Sequence, residues 1–135
     1  MSLSPQDALI HIMVATGASD AAISDDELTR IGGLLGRLPA FDGYDTSRLI
    51  HVANQCIDAI NGPGGIDGAL DSAVAAIPSR LHDTAYAVAV EVAVVDLQLP
   101  QEELRLLEMI RDRLDTDRLT TAAIEAAARA RMRRL

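Results

Sequence analysis

The sequence reads as an all-α protein, a compact bundle of about seven helices with an internal helix-hairpin duplication. Three observations point there. Apolar residues recur at helical spacing along most of the chain, and no stretch alternates as a half-buried strand does. Val88 to Val94 is apolar and rich in β-branched residues, but it shares its register with the first helix and is therefore read as helix. Aromatic residues make up only 2% of the chain (Phe41, Tyr44 and Tyr86), so its core is built of Ala, Leu, Ile and Val, which suits closely packed helices. Finally, one motif is stated twice, and its flanks repeat with it.

Taken in order, Ser4-Pro5-Gln6-Asp7 is a helix start: Ser4 caps, Pro5 suits the first helical position and Asp7 complements the dipole. The first helix runs to about Ala18 through Leu9, Ile12, Met13 and Thr16. Ser24 and Glu27 have capping-box spacing, so a second helix spans about 25–38 and stops before Pro39. It holds Gly32, Gly33 and Gly36, each costing about 1 kcal/mol relative to alanine. That cost suggests a face pressed close against another helix, within the chain by preference or in a homodimer through the Gly32/Gly36 face.

Asp42-Gly43 marks a turn, and Asp45 caps a third helix running to about Ile60. Asn61-Gly62-Pro63-Gly64-Gly65 is the strongest break. A fourth helix covers about 66–77 and a fifth about 79–95, apolar nearly all round and so the central one. A sixth runs from Leu99-Pro100 to Leu114, and a seventh from about Thr120 to the arginines at 129, 131, 133 and 134. At 135 residues the chain is one domain, with repeat halves of about 5–61 and 66–135.

The net charge is −8 and unevenly placed. Residues 1–100 hold thirteen acids against four arginines, and residues 101–135 hold seven against eight. An acidic body without base-stacking aromatics argues against nucleic acid as partner and favours cations or basic protein surfaces. The C-terminal arginines read as a solvated helix face, with an acidic protein partner as the sharper alternative. The start of the sequence lacks the features of a signal peptide, and the run from Ala85 to Val95 is too short to span a bilayer. The expected location is cytoplasmic, with no membrane insertion. Cys56, the single cysteine, reads as a small buried hydrophobe. Glu91, alone on the apolar fifth helix, reads as the partner of an arginine, with a metal or proton-transfer role as the alternative. His11, His51 and His82 are scattered and read as structural. No nucleophile constellation, P-loop or dinucleotide fingerprint is present, so no enzyme is expected.

The repeated motif carries the functional reading. Asp20 to Leu28 matches Asp96 to Leu104: an aspartate, a short break, an acidic cluster ending in glutamate, then a leucine opening a helix. The same offset pairs Val14 with Val90, Ile31 with Leu107, Leu34 with Ile110, Arg37 with Arg113 and Leu38 with Leu114. Asp20 and Asp96 each lie at the end of a helix, where the dipole disfavours a carboxylate by about 0.3–1 kcal/mol. With Glu27 and Glu103 they form an oxygen-rich set suited to a hard divalent cation such as Ca²⁺, Mg²⁺ or Mn²⁺. The spacing is too short for an EF-hand. The plainer alternative is helix capping. It accounts well for Glu27 and less well for the second copy, where Pro100 replaces Ser24.

The two Asp-x6-Glu motifs on a duplicated helix hairpin, with Arg80 to Ala93 leading into the second, resemble the TerB-like tellurite-resistance family over nearly the whole chain. Where that family has glycine after the aspartate, this chain has Ala21 and Leu97. The resemblance implies a cytoplasmic bacterial helical bundle, non-enzymatic and linked to tellurite, metal or oxidative stress resistance. It further implies metal binding through acidic residues, here Asp20, Glu27, Asp96 and Glu103, and work alongside other stress-response proteins. The alternative is a metal-free helical interaction scaffold whose acidic residues act as caps.

Overall fold

A computed structural model describes residues 3–18, 22–93 and 101–135, with side chains given from residue 104 in the last segment. Among the described residues there are seven α-helices: α1 (Pro5–Gly17), α2 (Asp25–Arg37), α3 (Leu49–Asn61), α4 (Gly65–Ala75), α5 (His82–Ala93), α6 (Gln101–Arg113) and α7 (Arg118–Met132). Single 3-10 turns cover Pro39–Phe41, Thr46–Arg48 and Ser79–Leu81. The all-helical bundle expected from the sequence is what the chain forms, with boundaries differing by one to three residues.

α1 is the hub. It packs against α2, α3, α4, α5 and α6, and every residue from Asp7 to Thr16 is buried. The apolar pattern predicts that central place for α5, which is buried along Ala85, Tyr86, Val88, Ala89, Val90, Val92 and Ala93. The two helices lie against each other and share the core. Ser4 caps α1 as expected, its hydroxyl accepting from the Asp7 amide at 3.1 Å. Thr16 is held inside by donating its hydroxyl to the Ile12 carbonyl at 2.8 Å.

The ends of α2 and α6 preserve the repeat: Arg37 and Arg113 close them, at the offset that relates Asp20 to Asp96. Core positions match as well: Val14 and Val90 are both fully buried, Ile31 is fully and Leu107 nearly buried, and Leu34 is nearly and Ile110 fully buried.

The segment between α2 and α3 is stitched to the start of α1. Gln6 donates to the Ala40 carbonyl at 3.0 Å. Asp7 accepts from the Tyr44 hydroxyl at 2.7 Å and from Arg48 at 3.0 and 2.9 Å. Arg48 also lies over the Tyr44 ring, 5.5 Å from its centroid, and Phe41 meets that ring edge-on. Burial alone would raise the Asp7 carboxyl, but the hydrogen bonds from Arg48 and Tyr44 outweigh it and hold the carboxyl below its usual value.

α7 docks on α5 through polar anchors. Tyr86, buried, donates to Glu125 at 2.5 Å, and Arg131 pairs with Glu91, the arginine partner that the lone glutamate called for. Arg113 reaches Asp71 and Asp67, both at 2.7 Å, tying α6 to α4. Asp117 caps α7 from two residues earlier than expected, accepting from the Thr120 amide at 2.7 Å.

The glycines of α2 are not pressed against an internal helix. A methyl group on Gly32 would meet only Leu49 Cδ2 at 3.7 Å, ordinary packing distance, and one on Gly33 only Arg37 of the same helix. At Gly36 nothing lies within 4 Å. The tightest glycine is instead Gly17, as described below.

Two outcomes follow. Gly36→Ala should stabilise the fold by about 0.5–1 kcal/mol in urea denaturation, because it removes helix-interior glycine entropy in open space. If the same variant dissociates a dimer in sedimentation velocity, the Gly32/Gly36 face is a subunit contact. Asp7→Asn should cost about 1–3 kcal/mol at neutral pH, since it breaks a nearly buried charge-assisted cluster. The folded Asp7 carboxyl titrates below its unfolded value, so its contribution is present above about pH 4 and lost as pH falls through the folded value. The gap between wild type and Asp7→Asn should therefore close in acid.

Candidate functional site

Of the four acidic residues singled out from the sequence, the structure places the side chain of one. Asp20 and Asp96 lie outside the described residues. Glu103 is in the first turn of α6, its side chain also outside them. Among the described residues no three His, Cys, Asp or Glu side chains come close enough to hold a metal ion.

Glu27 stands at an informative point. A methyl group built on Gly17 would lie 2.8 Å from Glu27 Oε2 and 3.1 Å from Val92 Cγ1. The carboxylate is thus pressed against Gly17, the last residue of α1, a position that Val92 of α5 also approaches. Gly17 is what admits the carboxylate there, and its repeat equivalent is Ala93. Gly17 lies inside the expected span of the first helix, and nothing local in the sequence marks it as the point where Glu27 docks.

Three local interactions hold Glu27. Its amide donates to the Ser24 hydroxyl at 3.1 Å, the N-cap bond that capping-box spacing predicts. The reciprocal half of that box is replaced: both carboxylate oxygens accept from Arg30 Nη1 at 2.9 Å. The pair is partly open to solvent, Arg30 being 32% and Glu27 24% exposed. Carboxylate oxygen is the donor type a hard cation takes. Arg30 competes for it, with an exposed pair worth only about 0–1 kcal/mol.

The remaining titratable groups of the core divide clearly. His82 is satisfied at both nitrogens. Nδ1 accepts from the Asp115 amide at 2.8 Å, which leaves Nε2–H to donate to the Ile77 carbonyl at 2.9 Å. Cys56 is buried as expected, 3.5 Å from the His11 carbonyl, and burial pushes its thiol up to about 12. His11 is different. It is 5% exposed, and its buried Nε2 meets no hydrogen-bonding group among the described residues. Burial holds its pKa below the ordinary histidine value, opposed only in part by the Asp7 carboxylate. Periodicity marked His11 as structural and gave no sign that it would lack a partner.

No family model, curated protein or solved structure matches the chain. The likeness to the TerB-like family therefore rests on the repeated motif and its flanks.

Ser24→Ala should cost about 1 kcal/mol in denaturant titration through loss of the N-cap. Glu27→Gln should cost less than about 1 kcal/mol, because its partner is a partly exposed arginine. A larger loss for Glu27→Gln than for Ser24→Ala would show that the carboxylate holds the loops together structurally.

Proposed function

We propose that this chain is a non-enzymatic, TerB-like helical module that binds a hard divalent cation (Ca²⁺, Mg²⁺ or Mn²⁺) through its two acidic motifs. Asp20, Glu27, Asp96 and Glu103 are the residues that would hold the ion, and its role there is to fix the two loops relative to each other. On this reading the protein acts in the cytoplasm with other stress-response proteins, in tellurite, metal or oxidative stress.

The observation that carries the reading is the position of Glu27, against the end of α1 at Gly17, which Val92 of α5 also approaches. The matched buried positions of the two hairpins add to it. An acidic body of net charge −8 concentrates cations around it. Tellurite, an anion, is repelled by the same carboxylates, so the reading does not include direct tellurite binding. Among the described residues no helix is long and apolar enough to cross a membrane.

A metal-free interaction scaffold is the second reading. It is favoured by the Arg30 pair and the Ser24 bond, which together account for Glu27 without an ion.

Thermal unfolding with added Ca²⁺, Mg²⁺ or Mn²⁺ separates the two. Cation binding raises the melting temperature by mass action, contributing about 2.7 kcal/mol at a hundredfold excess over Kd. The combined Asp20→Asn, Glu27→Gln, Asp96→Asn, Glu103→Gln variant should lose the effect. Arg30→Gln should strengthen it by removing the competing cation. No shift with any of the three ions at millimolar concentration rules the cation reading out and leaves the scaffold.

A further inference from the structure

His11 lies midway along α1, in the run from Asp7 to Thr16 that the other helices enclose. It is 5% exposed, and its Nε2 is buried without a hydrogen-bonding partner among the described residues. An uncharged imidazole tolerates this place, because it can keep its proton on Nδ1 and turn only a lone pair inward. An imidazolium carries a proton on both nitrogens. Nε2–H would then be a buried donor, part of a full charge, with neither water nor an acceptor to meet it. Such a group is far costlier than an orphaned lone pair.

The charges around the ring do not relieve that cost. Among the described residues Asp7, one turn earlier on α1, is the one charge that bears on the buried ring, and burial outweighs it. Its carboxylate oxygens are already taken by Arg48 and Tyr44 from the α2–α3 connection, and Arg48 brings an opposing positive charge. An open cleft of about 340 Å³ lies beside His11, with Asp58 and Gln55 of α3 and Ser72 of α4 in its lining. Asp58 is exposed and forms no ion pair among the described residues. Cys56 lies where α3 covers α1. It is 1% exposed, and its thiol donates to the His11 carbonyl at 3.5 Å.

We propose that His11 is an acid-operated latch: taking up a proton drives its ring out through the cleft toward Asp58 and opens the α1–α3 contact over Cys56. The ring in water takes up its proton near the ordinary value of about 6.5, and the enclosed ring only at lower pH. The closed form is therefore fully favoured above that value. Each pH unit below it shifts the balance up to about tenfold toward the open form, until the enclosed ring itself titrates. Asp7, whose carboxyl is held below its usual value, stays ionised through that range, so the latch opens with the Arg48 cluster still in place.

The single cysteine reads the opening. The intact protein is reacted with 4,4′-dithiodipyridine from about pH 7.5 to about pH 5, and each rate is divided by that of an unstructured cysteine peptide at the same pH. Protection of Cys56 should fall about tenfold or more across that range, while far-UV circular dichroism keeps its helical signal. His11→Leu and His11→Gln have no proton to take up, and in whichever of them folds the protection should stay level. Asp58→Asn should reduce the fall severalfold, because the outward imidazolium loses its acceptor. Three results overturn the proposal: protection that does not change with pH in the wild type, the same fall in the His11 variants, or a fall seen only together with loss of the helical signal. An undiminished fall in Asp58→Asn overturns the role assigned to Asp58.

Discussion

The burial of α1 is the constraint on which the rest of the structure depends. Ten consecutive residues, Asp7 to Thr16, have no solvent-facing side, so five other helices must surround them. A helix enclosed in this way must account for each polar group it carries. Thr16 does so through its own carbonyl ladder, and Asp7 through Arg48 and Tyr44. The Asp7 cluster fastens the connection between α2 and α3 to the start of α1 and fixes how α3 approaches. His11 alone on this helix remains without a partner for its buried nitrogen.

The second constraint is duplication. α2 and α6 end at equivalent positions, and the two hairpins share buried positions at Val14 and Val90, Ile31 and Leu107, and Leu34 and Ile110. Because α1 and α5 lie against each other, the copies share one core. Glu27 shows the consequence: it belongs to the first hairpin, yet at Gly17 its carboxylate and Val92 of the second hairpin approach the same point. Gly17 makes that approach sterically open. A side chain there would meet the carboxylate at 2.8 Å, a distance that would force the glutamate to move.

Much of this was legible in the sequence because it is local. Ser4 and Ser24 cap as their spacing indicated, Asp45 caps the 3-10 turn that leads into α3, and the Asn61–Gly65 break ends α3. The arginine partner of Glu91 was inferred from the cost of a buried charge. What could not be read is long-range. Asp7 looked like a first-turn residue complementing a dipole, and nothing nearby names Arg48, forty-one residues on. The apolar face traced through Leu9, Ile12 and Met13 hid the fact that Ile10 and Val14 bury the opposite side as well. The α2 glycines suggest close packing, yet Gly36 faces open space. Of the candidate site, only Glu27 has a described side chain. Its bond to Ser24 was foreseen, and its contact with Gly17 was not.

The central claim is that one site joins both acidic loops. Paramagnetic broadening by Mn²⁺, read on the backbone amides of the folded protein, tests it most directly. The claim predicts that residues 18–27 and 93–103 broaden together, with a single apparent affinity, and recover together when Mg²⁺ is added in excess. Broadening confined to one loop, two distinct affinities, or no broadening at either loop would contradict it.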